Sequence, residues 1–263
     1  MSPPSIITLT TDYGDRSAYV AVLKGVILSI NPDARIHDLS HRIRPQCLRH
    51  ASYFLGTALP YFPVGTIHVA VVDPGVGTER RAIYVEAGGQ RLVGPDNGMF
   101  TGVYRHFGGL TVARALTNPR FWRTPVSDTF HGRDIFAPVA AHLSLGVDPS
   151  ELGPLLSEPV ELPTCSAVTF GGRWQGEVQF VDDFGNLITN IPASKVRSLP
   201  VRASFGGEAA HPIRWARTYA DAAPGELICL FSSDGFFEVA EVNGSAARRL
   251  GVEAGACVKI HVE

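Results

Sequence analysis

Gly65-Thr-Ile-His-Val-Ala-Val-Val72, running straight into Asp73-Pro-Gly75, is the stretch that decides the fold. It is short, apolar and rich in β-branched residues, and turn-forming residues follow it, the pattern of a strand buried on both faces. Upstream, Ser5-Ile-Ile-Thr-Leu-Thr-Thr11 has the same character and stops at Asp12-Tyr-Gly14. Between the two lie Tyr19 to Leu28, at helical spacing and closed by Asn31-Pro32, a strand over Arg35 to Leu39, and a helix over His50 to Leu59 that ends before Pro60. Downstream come strands at Arg81 to Val85 and Arg91 to Val93, then an apolar helix from Asp134 to Ser144. Strands alternating with helices predict an α/β domain over 1–151 with a mostly parallel sheet. In such sheets ligands collect beyond the carboxyl ends of strands, where Asp12 and Asp73 both stand.

The pattern changes after Gly146-Val-Asp-Pro149. Leu152 to Pro163 holds three prolines and a glycine without helical or strand period, which predicts a linker over 152–171. Beyond it, short runs are divided by turns: Gly176 to Val181, Leu187 to Thr189, Leu227 to Phe231, Phe236 to Ala240 and Cys257 to Val262. These predict a smaller antiparallel β-barrel domain over 172–263.

Composition excludes several classes. With 45% hydrophobic residues the 263-residue chain has ample core, and 23 Lys+Arg against 25 Asp+Glu leaves no excess field for nucleic acid or a membrane surface. No apolar run reaches the roughly 20 residues of a spanning helix, and Met1-Ser-Pro-Pro-Ser5 lacks signal-peptide character, so a cytoplasmic protein is expected. Cys47, Cys165, Cys229 and Cys257 stand far apart, with no CxxC pair, and are expected to be reduced core thiols. His37 and His41 have i,i+4 spacing but no HExxH glutamate, so local hydrogen bonding rather than a metal is expected of them. The glycine-rich stretches at 73–78 and 93–98 lack both the GxGxxG spacing and the P-loop lysine.

Three loops are dense in polar groups: Thr10 to Gly14, Val72 to Arg81 and Thr129 to Pro138. Strand-end aspartates commonly make turns or cap helices, and that reading stands beside a catalytic one for Asp12 and Asp73; Arg80 and His131 likewise read as a surface cation and a capping imidazole. Taken together, an aspartate, an arginine and a histidine can orient and polarise one water.

The strings TTDYG, VVDPGVGTERR, VGPDNG, TFHGRDIFAP and VDDFGNLITNI, in this order along nearly the whole chain, resemble the S-adenosylmethionine hydroxide adenosyltransferases, the adenosine-forming S-adenosylmethionine hydrolases related to fluorinases and chlorinases. The resemblance implies an α/β domain followed by a β-barrel domain, a homotrimer, and substrate bound between one subunit's N-terminal domain and its neighbour's C-terminal domain. It makes Asp73, Arg80 and His131 the catalytic triad. Asp12 would take the ribose hydroxyls, Asn186 the adenosine part and Asp182 the methionine ammonium, while Ser233 and Glu238 would close the pocket. Ser17 stands where relatives often carry an acidic residue, and the segment from Gly235 to Asn243 is one residue longer than usual. S-adenosylmethionine is then substrate, with no cofactor and no metal. Two alternatives are a halogenase and a noncatalytic S-adenosylmethionine or adenosine sensor. His131-Gly132 in place of the tyrosine and serine of fluorinases, the presence of Arg80 and the absence of room for an extra halogenase loop favour the hydrolase over the first. The intact triad favours it over the second.

Overall fold

The computed structural model describes residues 5–163, 166–170, 173–196, 200–207 and 210–262. The chain divides into two units, 1–162 and 163–263. In the first, the two apolar runs become β1 (Ile6–Thr11) and β3 (Ile67–Val71), and every residue of β3 is buried. β1 pairs in parallel with β3 and with β2 (Arg35–Ser40), and β3 pairs in parallel with β5 (Gln90–Pro95).

Why β3 reads as continuously apolar follows from its two-residue period. Val69 and Val71 face a core with Leu23 and Ile27 of α1 (Tyr19–Ile30) and Val139 and Ala140 of α4 (Ala137–Ser144). Ala70 and the following Val72 face the opposite core, with Leu55 of α2 (Leu48–Ala58) and Val103 of α3 (Thr101–Phe107). Helices cover both faces, and the strand ends deliver Asp12 and Asp73 to the same edge.

The mostly parallel sheet needs one correction. Among the described residues its order is β2-β1-β3-β5-β4-β6, and β4 (Ala82–Ala87) runs antiparallel to both β5 and β6 (Val112–Ala115). Gly88 and Gly89 join β4 to β5 with φ of 56° and 78°. Positive φ at both central residues of a two-residue loop is the hairpin turn whose twist matches that of the strands, so this pair must be antiparallel.

The stretch expected as a linker splits. Residues 152–162 lie along the first unit: Ala115 N–H donates to the Pro154 carbonyl (2.9 Å), Leu156 N–H to that of Ala113 (2.8 Å), and Val160 N–H to Asp96 Oδ1 (2.7 Å). Prolines deny the segment a regular ladder, which is why it shows no period, yet it still shields the edge strand β6. Thr164, Cys165, Gly171 and Gly172 lie outside the described residues.

The second unit is built on β7 (Val168–Phe170), β8 (Arg173–Val181), β9 (Leu187–Pro192), β10 (Pro200–Phe205), β11 (His211–Pro212), β12 (Arg214–Trp215), β13 (Leu227–Phe231), β14 (Phe236–Glu241) and β15 (Cys257–Val262), with the short helix α5 (Ala246–Leu250). Its path is β11-β10-β15-β8-β9-β14-β13-β12, with β7 beside β8. The two ends of that path, β11 and β12, are separated in the chain by Ile213 alone, so the sheet must curl until its edges approach. The pairing is antiparallel except between β12 and β13, which run parallel. Of the cysteines expected in the core, Cys229 is fully buried and its thiol pushed up to about 12 by burial, whereas Cys47 and Cys257 are half-buried and free. Both sit at element ends, where packing covers one side only.

One polar group lies deep in the first unit. His68 on β3 meets Thr8 Oγ1 through Nδ1 (2.7 Å) and Gln90 Oε1 through Nε2 (3.1 Å), and Gln90 donates to the Phe62 carbonyl (2.9 Å). Burial holds the imidazole neutral, down to about 4 from 6.5. The unfolded chain therefore binds this proton first, and the associated stability, up to about 3 kcal/mol, is present above pH 6.5 and lost as the pH falls towards 4. Urea unfolding at about pH 7 and about pH 4.5 should show a smaller drop in His68→Gln than in the wild type. An equal drop in both would sink this assignment.

Candidate functional site

Asp73 follows β3 directly, and the Pro-Gly-Val-Gly-Thr turn behind it brings Arg80 back onto its carboxylate. Arg80 Nε donates to Oδ1 (2.9 Å) and Oδ2 (3.1 Å), and Nη2 to Oδ2 (2.5 Å). The side chains are 11% and 6% exposed, a depth at which an arginine is held by its partner. Nη2 also donates to His131 Nδ1 (2.7 Å), and the guanidinium lies 5.4 Å over the Phe136 ring.

That contact fixes the imidazole. Nδ1 accepts, so the neutral ring carries its proton on Nε2, an assignment made from the hydrogen-bond partners. Burial first, and the Arg80 charge second, lower the His131 pKa below 6.5. His131 stands at the head of a π-helical turn, Gly132–Phe136, that leads into α4. Such single turns recur at functional sites because they re-aim a side chain without ending the helix.

Asp12, just past β1, accepts from the Gln46 N–H through Oδ2 (2.8 Å). Beside it, the half-buried Tyr13 phenol is raised well above 10 by desolvation and then by the Asp12 and Asp73 carboxylates, and stays a neutral donor. Its hydroxyl stands so close to Gly132 that a Cβ there would lie 2.6 Å from it. The loop is braced from below: Thr11 Oγ1 contacts His41 Nδ1 (2.9 Å) and takes the Tyr13 N–H (3.2 Å). This is the local hydrogen bonding expected of His41.

The second unit gathers another group. At the turn from β8 to β9, Asp182 Oδ1 accepts the N–H groups of Phe184 (3.0 Å) and Asn186 (2.8 Å), and Asn186 Nδ2 donates to Asp182 Oδ2 (2.9 Å). Glu238 is buried on β14 and takes the Tyr219 hydroxyl (2.7 Å). Burial raises its pKa against that hydrogen bond, and Asp182 and Asp234 add to the rise. Ser17, in the segment before α1, and Ser233, in the turn between β13 and β14, are exposed, and among the described residues the structure does not join either to these clusters.

Three supports carried no role in the sequence. Asn97 Nδ2 donates to the Val72 carbonyl (2.9 Å) and Arg81 Nε to Asp96 (2.7 Å), so VGPDNG grips both ends of the 73–80 loop. Gly77, at φ 77°, lies so close to the Asp128 carbonyl that a Cβ would sit 2.3 Å from it. Only the positive-φ glycine in DPGVGT announced that approach.

As a chemical device, the first cluster is a set of donors. Nε and Nη2 of Arg80 are committed to Asp73 and His131, while Nη1 makes no hydrogen bond among the described residues. Nη1 and the His131 Nε2–H are the donors left over, and donors of this kind favour a bound water with hydroxide character. Among the described residues no group of three or more His, Cys, Asp or Glu is assembled that could hold a metal ion, and no helix is long and apolar enough to cross a membrane.

Family models described as the SAM hydroxide adenosyltransferase N-terminal and C-terminal domains match residues 7–153 and 176–259. The chain is 42% identical over 257 residues to a Salinispora tropica protein named (R)-S-adenosyl-L-methionine hydrolase, covering 97% of each. It is 26% identical over 290 residues to a fluorinase of an Actinoplanes species, again covering 97% of each. A crystal structure of an uncharacterized conserved protein from Thermotoga maritima superposes with a TM-score of 0.90 at 38% identity, covering 97% of this chain and 99% of that one. With both domain models matched in order, the chain belongs to the SAM hydroxide adenosyltransferase family.

Proposed function

We propose that this protein hydrolyses S-adenosyl-L-methionine to adenosine and L-methionine by direct attack of an activated water at C5′. The observation that carries the reading is the Asp73–Arg80–His131 chain of contacts, in which the enclosed Asp73–Arg80 pair beyond β3 meets the imidazole and leaves donors free. The sulfonium already bears the positive charge, so methionine leaves as a neutral thioether and needs no general acid. As the water oxygen bonds to C5′, the C5′–S pair of electrons passes to sulfur and a proton goes to solvent. What the reaction lacks is a nucleophile, and Arg80 with His131 supplies one by holding water and stabilising its hydroxide character. Asp73 orients the guanidinium and offsets its charge beside a cationic substrate. No cofactor is needed, and a substrate of this kind fits a cytoplasmic protein.

On this reading Asp12 takes the ribose hydroxyls, and Ser17 contributes to substrate binding from the segment that follows it. Asp182, Asn186, Ser233 and Glu238 hold the remainder of the substrate from the second unit of a neighbouring subunit in a homotrimer. The greater identity to the hydrolase than to the fluorinase supports hydrolysis over halogenation.

Incubation with S-adenosylmethionine, with and without chloride or fluoride, followed by chromatography, should give adenosine and methionine in every case. A 5′-halo-5′-deoxyadenosine, or unchanged substrate with measurable binding, would overturn the reading. Arg80→Ala should lower kcat at least about a hundredfold with little change in KM, because its role is with the attacking water. Retention of wild-type kcat rules out water activation by Arg80.

A neutral His131 is required for Nδ1 to accept from Arg80. Turnover should therefore fall on the acid side, through an apparent pKa below 6.5, and stay level above it. A kcat profile rising only above that value would contradict this.

A site shared between subunits makes one further demand. Inactive Asp12→Ala and Asn186→Ala proteins, mixed under conditions of subunit exchange, should regain part of the activity, since some interfaces then carry both native residues. No recovery after exchange has been demonstrated would leave the site within one subunit.

A further inference from the structure

Asp134 is wholly buried, yet it is charged, and nothing in the proposed chemistry uses it. Its carboxylate gathers groups from both ends of the segment that carries His131. Arg133 donates to it through Nε (2.7 Å) and Nη2 (2.8 Å), the Ser127 N–H donates to Oδ2 (2.9 Å), and Arg123 Nη1 stands 3.5 Å from Oδ1. The backbone repeats the grip, with Arg123 N–H donating to the Asp134 carbonyl (2.8 Å). Arg133 also lies 5.1 Å over the ring of Phe130, the residue before His131. A carboxylate taken out of water is retained only where its partners compensate it, and here the partners are the two flanks of one loop.

We infer that Asp134 is the positioning residue of the site: by drawing Arg123, Ser127 and Arg133 together it closes residues 123–134 into a rigid loop and holds the His131 ring against Arg80. The inference rests on the triad reading above. Its geometry is explicit at both ends of the loop. Asp128, within it, offers the carbonyl against which Gly77 of the Arg80 loop is packed. His131, at its far end, accepts from Arg80. The two loops thus touch at two places, and one buried carboxylate sets the shape of the loop that carries both contacts. The charge acts as well, since Asp134 favours the protonated form of His131 and partly opposes the effect of Arg80.

The test uses Asp134→Asn, which keeps the shape and removes the charge, and Arg123→Met, which removes one partner from the half-exposed side and leaves the carboxylate in place. Two readouts are taken: nitrogen-15 shifts of the His131 ring across pH, and kcat and KM in the native and His131→Ala backgrounds. Expected are a His131 ring whose Nδ1 no longer reports the Arg80 contact and a kcat reduced about tenfold or more at nearly unchanged KM. In the His131→Ala background, Asp134→Asn should cost almost nothing further, since residues acting as one unit are non-additive. A full additional loss in that background, or unaltered ring shifts in both folded variants, would overturn the positioning role. If Asp134→Asn does not fold, Arg123→Met decides by the same two readouts. If the native protein forms no adenosine, the proposed function falls, and the ring shifts alone still decide whether Asp134 holds His131.

Discussion

Everything at the candidate site hangs on one buried ion pair. A guanidinium as enclosed as that of Arg80 cannot remain without a counter-charge, and Asp73 supplies it through a side-on fork. The fork fixes the plane of the guanidinium, and the plane fixes where the remaining hydrogens point. One of them meets His131 Nδ1 and so selects the tautomer. A lysine could neutralise the same carboxylate but would fix neither plane nor tautomer.

Around this pair, two structural loops do the holding. VGPDNG pins the start of the Arg80 loop through Asn97 and its end through Asp96, while the segment behind His131 is tied off at Asp134. The scaffold below is stiff for a plain reason: β3 has helices on both faces, and a strand packed on both sides has no solvent to relax into. Rigid strand ends with short, doubly anchored loops suit a reaction in which one water must lie behind one carbon.

How much of this could be read from residues alone follows from which signals are local. The strand at 65–72 declared itself by composition, and so did the aspartate after it. Asp73, Arg80 and His131 were legible as polar residues in loops after apolar runs, and the structure brings them into contact. The reversal of β4 is illegible in its apolar run, because the residues that dictate direction are the turn-forming Gly88-Gly89. α3 and β6 were missed because seven and four residues are too few to show a period. The part played by Asp134 was illegible for another reason. In the sequence it sits inside an apolar helix pattern, and only the fold shows that Arg123 and Ser127 come back to it.

The strand order of the second unit has a consequence for how the protein is made. β15 lies between β10 and β8, so one edge of each of these strands stays unpaired until residues 257–262 are available. The first unit ends at residue 162, so the whole of it has been synthesised before the strands of the second emerge, and domains generally fold as units in that order. The second must wait with two strand edges open, β8 on one side and β10 on the other, for the last strand to reach it. During synthesis, therefore, the half carrying the proposed triad is complete early, and the exposure to aggregation falls on the half carrying Asp182, Asn186 and Glu238.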